Sequence, residues 1–201
     1  MTKLFILRHG NTFDKGDIVT RVGGRTDLPL SSSGRAQAAA IATTIAKRRP
    51  KITRILSSPL SRTMQTATIV RDTAAPGAEI ERLEALREID YGPDENKPED
   101  EVITRVGEEA IALWDADGVP PPGWRVDPPT LTAAWTDLFR RCAQSAGDVL
   151  IVTSNGVARF ALDAAAIVPE GTPRKLKTAA FGVIALGPEG EASVLEWNVR
   201  A

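Results

Sequence analysis

The sequence predicts a three-layer α/β/α sandwich with a mostly parallel central sheet, an antiparallel edge and a helical insertion. Three observations support this fold class. Strand-like apolar runs alternate with helical patterns in the first half of the chain, two strand-like runs around a turn close it, and clustered prolines set apart a middle segment. With 201 residues, 42% of them apolar and 25% charged, one domain can bury a large core. We expect a single domain over residues 1–201, with an insertion at about 90–129 that covers the sheet as a lid.

The first half of the chain alternates strand and helix. Residues 3–7 are predicted to form a short apolar strand of the kind buried in a parallel sheet. Serine caps and alanines at helical spacing predict a helix over 31–48, which ends before Pro50. The pattern repeats with a strand at 52–56 and a helix at about 61–73.

The second half begins with the proline-framed insertion and ends with an antiparallel hairpin. We predict three helices, at about 99–114, 130–145 and 158–167. We predict three strands, at 148–153, 181–186 and 192–197. The last two strands are joined by a Gly-Pro-Glu-Gly turn, which is typical of a hairpin. Two tryptophans of the insertion, Trp114 and Trp124, either line a binding site or pack the core of the lid.

The composition excludes several classes of partner. The chain has 25 basic and 26 acidic side chains, so no global field favours nucleic acid or an anionic membrane. The single cysteine, Cys142, cannot form an internal disulfide, and the single histidine, His9, cannot supply a cluster for structural zinc. We predict no metal and no cofactor. No apolar run has the length of a membrane span and no secretory signal is recognisable, so we expect a cytoplasmic protein.

Polar residues follow three of the predicted strands at the point where each strand ends. In open α/β sheets, ligands bind beyond the carboxyl ends of the strands. Two arginines, an imidazole and a helix amino terminus would meet there, and guanidinium forks and helix N–H groups are the donors that phosphate prefers. The sequence therefore predicts a phosphate site. Its candidate segments are Arg8-His9-Gly10-Asn11-Thr12, Ser57-Ser58-Pro59-Leu60-Ser61-Arg62 and Ser154-Asn155-Gly156.

At these residues the chain resembles the histidine phosphatase superfamily, also called the phosphoglycerate mutase-like family. The resemblance is dense over residues 3–92 and resumes at 148–162. It rests on four motifs that occur in the family's order. The first is Leu7-Arg8-His9-Gly10-Asn11-Thr12, and the second is an arginine loop at 21–27 followed by Pro29, Leu30, Gly34, Gln37 and Ala38. The third is Ser57-Ser58-Pro59-Leu60-Ser61-Arg62 with Gln65-Thr66-Ala67, and the fourth is Leu86-Arg87-Glu88-Ile89-Asp90-Tyr91-Gly92.

The resemblance implies a role for each catalytic candidate. His9, as neutral imidazole, would attack phosphorus and form a phosphohistidine. Arg8 and Arg62 would hold the phosphoryl oxygens and stabilise their charge. Glu88 would act first as general acid and then as general base, unless it is a solvated carboxylate like its neighbours Glu84, Asp90 and Asp94. The remaining candidates for substrate binding are Asn11, Thr12, Arg21 and Gly156.

The sequence departs from the family pattern at Asn155, which stands where the family has a second histidine. An amide N–H donates a weaker hydrogen bond than an imidazolium does, by roughly 1–2 kcal/mol, which corresponds to a factor of about 5 to 30 in rate. The alternative is that Asn155 only caps the helix that follows it. The family's loop asparagine after the first motif is also absent.

These features predict a metal-independent phosphomonoester hydrolase that acts on a small phosphorylated metabolite and also binds inorganic phosphate. One alternative is a catalytically weak or inactive module that binds a phosphorylated ligand. The other is a phosphotransferase of the phosphoglycerate mutase type. The mutase is less favoured, because beyond Arg21 and Arg25 no dense basic cluster is present to hold a second phosphate.

Overall fold

A six-stranded sheet forms the centre of the computed structural model, which describes all 201 residues. The strand order is β3-β2-β4-β1-β5-β6. Strands β1 to β4 are mutually parallel, β5 runs antiparallel to β1, and β6 runs antiparallel to β5. The strands are β1 (Thr2–Arg8), β2 (Ile52–Ser57), β3 (Glu79–Arg82), β4 (Asp148–Thr153), β5 (Phe181–Leu186) and β6 (Ala192–Val199). The helices are α1 (Ser32–Lys47), α2 (Ser61–Ala74), α3 (Glu99–Val106), α4 (Glu108–Asp117), α5 (Pro128–Ala143), α6 (Asn155–Ala158) and α7 (Phe160–Asp163).

Helices cover both faces of the sheet, because successive side chains of a strand point to opposite faces. In β1, Phe5 and Leu7 join the core beneath α1 and α2. Leu4 and Ile6 join a second core, which α4, α5 and the short helices α6 and α7 complete. The predicted three-layer sandwich with an antiparallel edge is confirmed.

Strand β3 is an element that the sequence analysis missed. It has four residues, is mostly exposed and pairs only with β2 at the edge of the sheet. Its sequence, Glu-Ile-Glu-Arg, contains one apolar residue, so it carries none of the signal that marks a buried strand. Pairing with β2 along the sheet edge decides its conformation.

Two predicted helices differ from the structure. The helix predicted over 99–114 is two helices, because Gly107 has a φ of 86° that interrupts the helical backbone between α3 and α4. The helix predicted over 158–167 is replaced by α6 and α7, which begin at Asn155 and end at Asp163. The chain then leaves the helical path because the Ala166 and Ile167 N–H groups donate to the Ala192 carbonyl at β6.

The insertion packs against the core that contains α5. Trp114 of α4 is fully buried and lies edge-on to Trp124, with ring centroids 5.4 Å apart. Tyr91 also packs edge-on against Trp124. These aromatic contacts fix α4 beside the carboxyl ends of β1 and β4. No helix of the structure combines the length and the apolar character needed to cross a membrane.

Candidate active site

A cavity of about 820 Å³ opens beyond the carboxyl end of β1. Its wall combines the loop after β1, the first residue of α6, and residues of α3 and α4 from the insertion. Four of the five predicted catalytic residues line it, namely Arg8, His9, Glu88 and Asn155, and the fifth, Arg62, contacts His9 directly.

The tautomer of His9 is fixed by the backbone. Its Nδ1 lies 2.7 Å from the Gly10 carbonyl oxygen, and since a carbonyl only accepts, Nδ1 carries the proton. Nε2 therefore carries no proton, and its lone pair accepts a hydrogen bond from Arg62 Nε at 3.2 Å. Burial lowers the pKa of His9 well below its ordinary value, and the positive charges of Arg62 and Arg8 lower that pKa further. The ring is thus neutral at pH 7, with Nε2 as its nucleophilic atom.

Arg62 is a fully buried cation in the first turn of α2. Its two terminal nitrogens donate to backbone carbonyls of the loop between β1 and α1, at 2.9 Å to Thr26 and 3.2 Å to Gly23. These contacts hold the planar guanidinium against the imidazole. The loop at 21–27 therefore builds the site by orienting Arg62.

Arg8 retains unused donor capacity. One terminal nitrogen donates to the Leu176 carbonyl at 3.0 Å, whereas its Nε is buried and has no hydrogen-bond partner. Buried donors without partners are rare, because each one costs the desolvation of a polar group. Arg8 also lines the cavity, where an anion would take up its remaining terminal donors.

Glu88 lies between two short 3₁₀ turns and is 7% exposed. Its two carboxylate oxygens accept from the Ile89 N–H at 2.9 Å and the Gly156 N–H at 3.2 Å. Burial raises the pKa of Glu88, and those hydrogen bonds and the charges of Arg62 and Arg8 oppose the shift only partly. A glycine is needed at position 156, because a Cβ atom there would lie 2.3 Å from Glu88 Oε1.

The neighbouring carboxylates are occupied elsewhere and do not line the cavity. Glu84 pairs with Arg87, Asp90 pairs with Arg25 and Arg125, and Asp94 binds Arg105 and the Trp124 indole N–H. Glu88 is therefore the acidic residue of this segment that reaches the cavity.

Asn155 is linked to Arg8 through the backbone of one residue, Leu176. Its Oδ1 accepts from the Leu176 N–H at 2.8 Å, and the Leu176 carbonyl accepts from Arg8. The side chain does not cap α6, whose N-cap position is held by Ser154. With Oδ1 occupied, the Nδ2 amide group is the donor that Asn155 has left for the cavity it lines.

The predicted substrate-binding residues have mixed surroundings. Thr12 lines the cavity with Asn11, whose backbone N–H donates to Gln37 at 2.9 Å. The Gly156 N–H donates to Glu88, as described above. Arg21 also lines the cavity, but its guanidinium is bound to Glu99. Their roles in substrate binding remain predictions.

Sequence reasoning missed a second buried cation beside the site. Arg159 is fully buried, donates to the Trp114 carbonyl and Asp115, and lies 4.2 Å from the centroid of the Trp114 ring. An arginine in a predicted helix usually faces solvent, so no signal marked it. Of the two tryptophans considered, Trp114 both lines the cavity and packs the core, whereas Trp124 only packs.

The fold is α/β, and the site combines a neutral imidazole, two guanidinium groups and a carboxyl group whose pKa is raised, a set of groups suited to phosphoryl transfer. No three His, Cys, Asp or Glu side chains are grouped so that they could hold a metal ion. Residues 4–200 match the model of the histidine phosphatase superfamily (branch 1). The chain belongs to this superfamily.

Comparisons with individual proteins agree with this assignment. A protein of Yersinia pestis (strain Pestoides F) named as a probable phosphoglycerate mutase, GpmB, is 38% identical over 100 residues, which make up 50% of this chain and 44% of that protein. The match thus spans less than half of that relative. Among solved structures, a mycobacterial glucosyl-3-phosphoglycerate phosphatase has a TM-score of 0.82 at 21% identity, with 100% of both chains covered. Bacillus stearothermophilus YhfR has a TM-score of 0.79 at 25% identity, covering 100% of this chain and 98% of that one.

Proposed function

We propose that the protein is a metal-independent phosphomonoester hydrolase that forms a phosphohistidine at His9 and acts on a small phosphorylated metabolite. The observation that carries the proposal is the placement of two buried groups, His9 and Glu88, on the wall of one cavity. His9 is held neutral with Nε2 unprotonated, and the pKa of Glu88 is raised by burial. A nucleophile without its proton and an acid with one are what cleavage of a phosphomonoester requires.

The first step transfers the phosphoryl group to the enzyme. The phosphate displaces the Arg62 contact to His9 Nε2 and takes up donors of Arg62 and the remaining terminal donors of Arg8. Nε2 attacks phosphorus in line while the bond to the leaving oxygen breaks. Glu88 gives its proton to that oxygen, so an alcohol leaves and phosphohistidine remains.

The second step returns the enzyme to its starting state. Glu88, now a carboxylate, takes a proton from water as the water oxygen attacks phosphorus. The phosphorus–nitrogen bond breaks and phosphate is released. His9 is again neutral and Glu88 is again protonated, so the cycle balances in protons and charge.

Asn155 serves this cycle as a neutral donor. Its Nδ2 group would bind a phosphoryl oxygen, while its Oδ1 holds the backbone N–H of Leu176, whose carbonyl positions Arg8. A neutral donor contributes less than a charged one, so turnover should lie below that of a site with two histidines.

A binding module with little or no turnover is the second candidate, and Asn155 in place of a second histidine is the observation that favours it. Such a protein would still bind phosphate through Arg8 and Arg62. It would have no need of a buried carboxyl group whose pKa is raised, and Glu88 therefore favours the enzyme.

Trapping the covalent intermediate tests the proposal. Brief exposure to a phosphomonoester labelled in its phosphoryl group should leave acid-labile, base-stable label on the wild-type protein. His9→Ala should retain none, and Arg35→Ala, which changes an exposed residue of α1, should behave like the wild type. Label that persists in His9→Ala would disprove the mechanism, since the chain has no other histidine.

A further inference from the structure

The part of the cavity outside the phosphate-binding residues has no net charge. Three carboxylates and three cations line it in addition to Arg8 and Glu88. They are Asp14, Glu99 and Asp115, and Lys15, Arg21 and Lys175. At about 820 Å³, the cavity has room for the leaving group of a substrate. Because the charges that line this part cancel, it offers that group no excess of positive charge.

Arg21, the cation with the most potential to bind a second anion, is held by the protein itself. Its guanidinium is bound to Glu99 of α3 and lies over the Trp124 ring, 4.8 Å from the ring centroid. The Arg21 side chain is only 13% exposed, whereas Glu99 is 43% exposed. Glu99 thus binds one terminal nitrogen of Arg21 and presents its own negative charge to the cavity.

A second cation is neutralised in the same way across the cavity rim. Lys175 Nζ lies 3.2 Å from Asp115, which also accepts from the buried Arg159. Lys15, the remaining cation, is exposed and lies beside Asp14, whose carboxylate accepts from the first N–H groups of α1. The charges of Arg21 and Lys175 are therefore each paired with a carboxylate, and Lys15 is exposed.

We propose that the outer cavity selects phosphomonoesters whose leaving group is an uncharged polyhydroxyl compound, and that Glu99 sets this selectivity by occupying Arg21. Carboxylate oxygens accept hydrogen bonds from hydroxyl groups, whereas a second anionic group would face Glu99 and Asp115. The inference rests on the proposed phosphomonoesterase function and specifies its substrate class.

Two substrates that differ in one group test the selectivity. Glycerol 3-phosphate and 3-phosphoglycerate have the same carbon chain and phosphate position, but the first carries a terminal hydroxymethyl group and the second a carboxylate. Wild-type kcat/KM should favour glycerol 3-phosphate by at least about tenfold. Glu99→Gln should reduce this preference about tenfold, because it removes a repulsive charge and releases the Arg21 fork. Glu101→Gln, an equal charge change at an exposed residue of the same helix, should leave the ratio as it is.

Binding separates failure of the selectivity from failure of the proposed function. Calorimetry with His9→Ala should show the same preference for glycerol 3-phosphate, independent of turnover. A preference for 3-phosphoglycerate in the wild type, or equal effects of Glu99→Gln and Glu101→Gln on the substrate preference, would overturn the inference. The proposed phosphomonoesterase function would be unaffected by either result, provided that the enzyme hydrolyses one of the two compounds. Preferential binding of glycerol 3-phosphate without hydrolysis of either compound would support the selectivity and refute the proposed function.

Discussion

At the residue scale, the reactivity of the site depends on which atoms carry protons. The Gly10 carbonyl places the His9 proton on Nδ1, and burial keeps the ring neutral. Burial shifts the pKa of Glu88 in the opposite direction, because the neutral form of a carboxyl group is the protonated one. In the proposed mechanism, one physical cause, exclusion of water, would thus prepare both the nucleophile and the acid.

The pH dependence of the reaction follows from these two pKa shifts. His9 must be neutral, and its lowered pKa keeps it so down to a pH well below 6.5. Glu88 must be protonated, and its raised pKa extends the active range upward from 4.5. We expect kcat/KM for an alkyl phosphate to fall at low pH as His9 gains a proton and at high pH as Glu88 loses one.

Glu88→Gln should remove the high-pH fall and lower kcat/KM at least about a hundredfold. An aryl phosphate with a good leaving group should lose less, because its oxygen needs no proton. Glu84→Gln changes an exposed carboxylate of the same segment and should leave both limbs of the pH profile in place. A high-pH limb that survives in Glu88→Gln would assign it to another group.

Substitution of Asn155 distinguishes a donor from a supporting residue. Asn155→Ala should lower kcat/KM about tenfold, which corresponds to about 1.4 kcal/mol. It should also lower the melting temperature, because the Leu176 N–H loses its acceptor. Asn155→Asp keeps that acceptor but places a negative charge toward the phosphate, so its melting temperature should stay near that of the wild type while kcat/KM falls further than in Asn155→Ala. Recovery of activity in Asn155→Asp would show that Asn155 acts only through Leu176.

At the element scale, the residues that orient the site lie on segments whose own conformation the sequence indicates poorly. The apolar runs of β1, β2 and β4 were predicted nearly to their ends, because buried strands in a parallel sheet carry a continuous apolar signal. The bounds of the short helices α6 and α7 were not predicted, because hydrogen bonds to the distant strand β6 end the helical path. Local pattern decides the first kind of element and tertiary contact decides the second.

Arg159 attaches the insertion helix α4 to the site, and replacing this arginine gives a prediction at the scale of the element. Arg159→Met should take away the donors to the Trp114 carbonyl and to Asp115, at a cost of about 1–3 kcal/mol in the free energy of unfolding. Amide hydrogen exchange should become faster mainly over 108–117, and KM should rise more than kcat falls, because Trp114 and Asp115 line the cavity.

Arg140→Met is the matched control for that experiment. Arg140 lies on α5, is 62% exposed and pairs only with Asp137 of the same helix. This variant should change neither the exchange of α4 nor KM. If exchange in Arg159→Met became faster evenly along the whole chain, Arg159 would stabilise the fold generally and would have no particular role at α4.

At the scale of the whole molecule, the motifs predicted which chain segments meet at the cavity, but not how their side chains pair. The Arg8, His9, Glu88 and Asn155 side chains come from distant parts of the sequence and share one cavity because the parallel strands end at one edge. The pairing of Arg21 with Glu99 and the burial of Arg159 depend on where the insertion packs. No local pattern encodes that packing, since it joins segments that the fold alone brings together.

If phosphate binds the unused donors of Arg8 as proposed, the stability of the whole molecule should depend on phosphate. A ligand that binds only the folded state adds about 2.7 kcal/mol at a concentration of 100 times its Kd, and for a chain of this size each kcal/mol raises Tm by roughly 2–4 °C. Saturating phosphate should therefore raise the wild-type Tm by roughly 5–11 °C over chloride at equal ionic strength. Arg8→Lys keeps the charge but loses Nε and the planar fork, so most of the rise should disappear. Arg35→Lys, at an exposed position of α1, should retain the full rise. An equal rise in Arg8→Lys and the wild type would place phosphate elsewhere on the protein and remove Arg8 from the site.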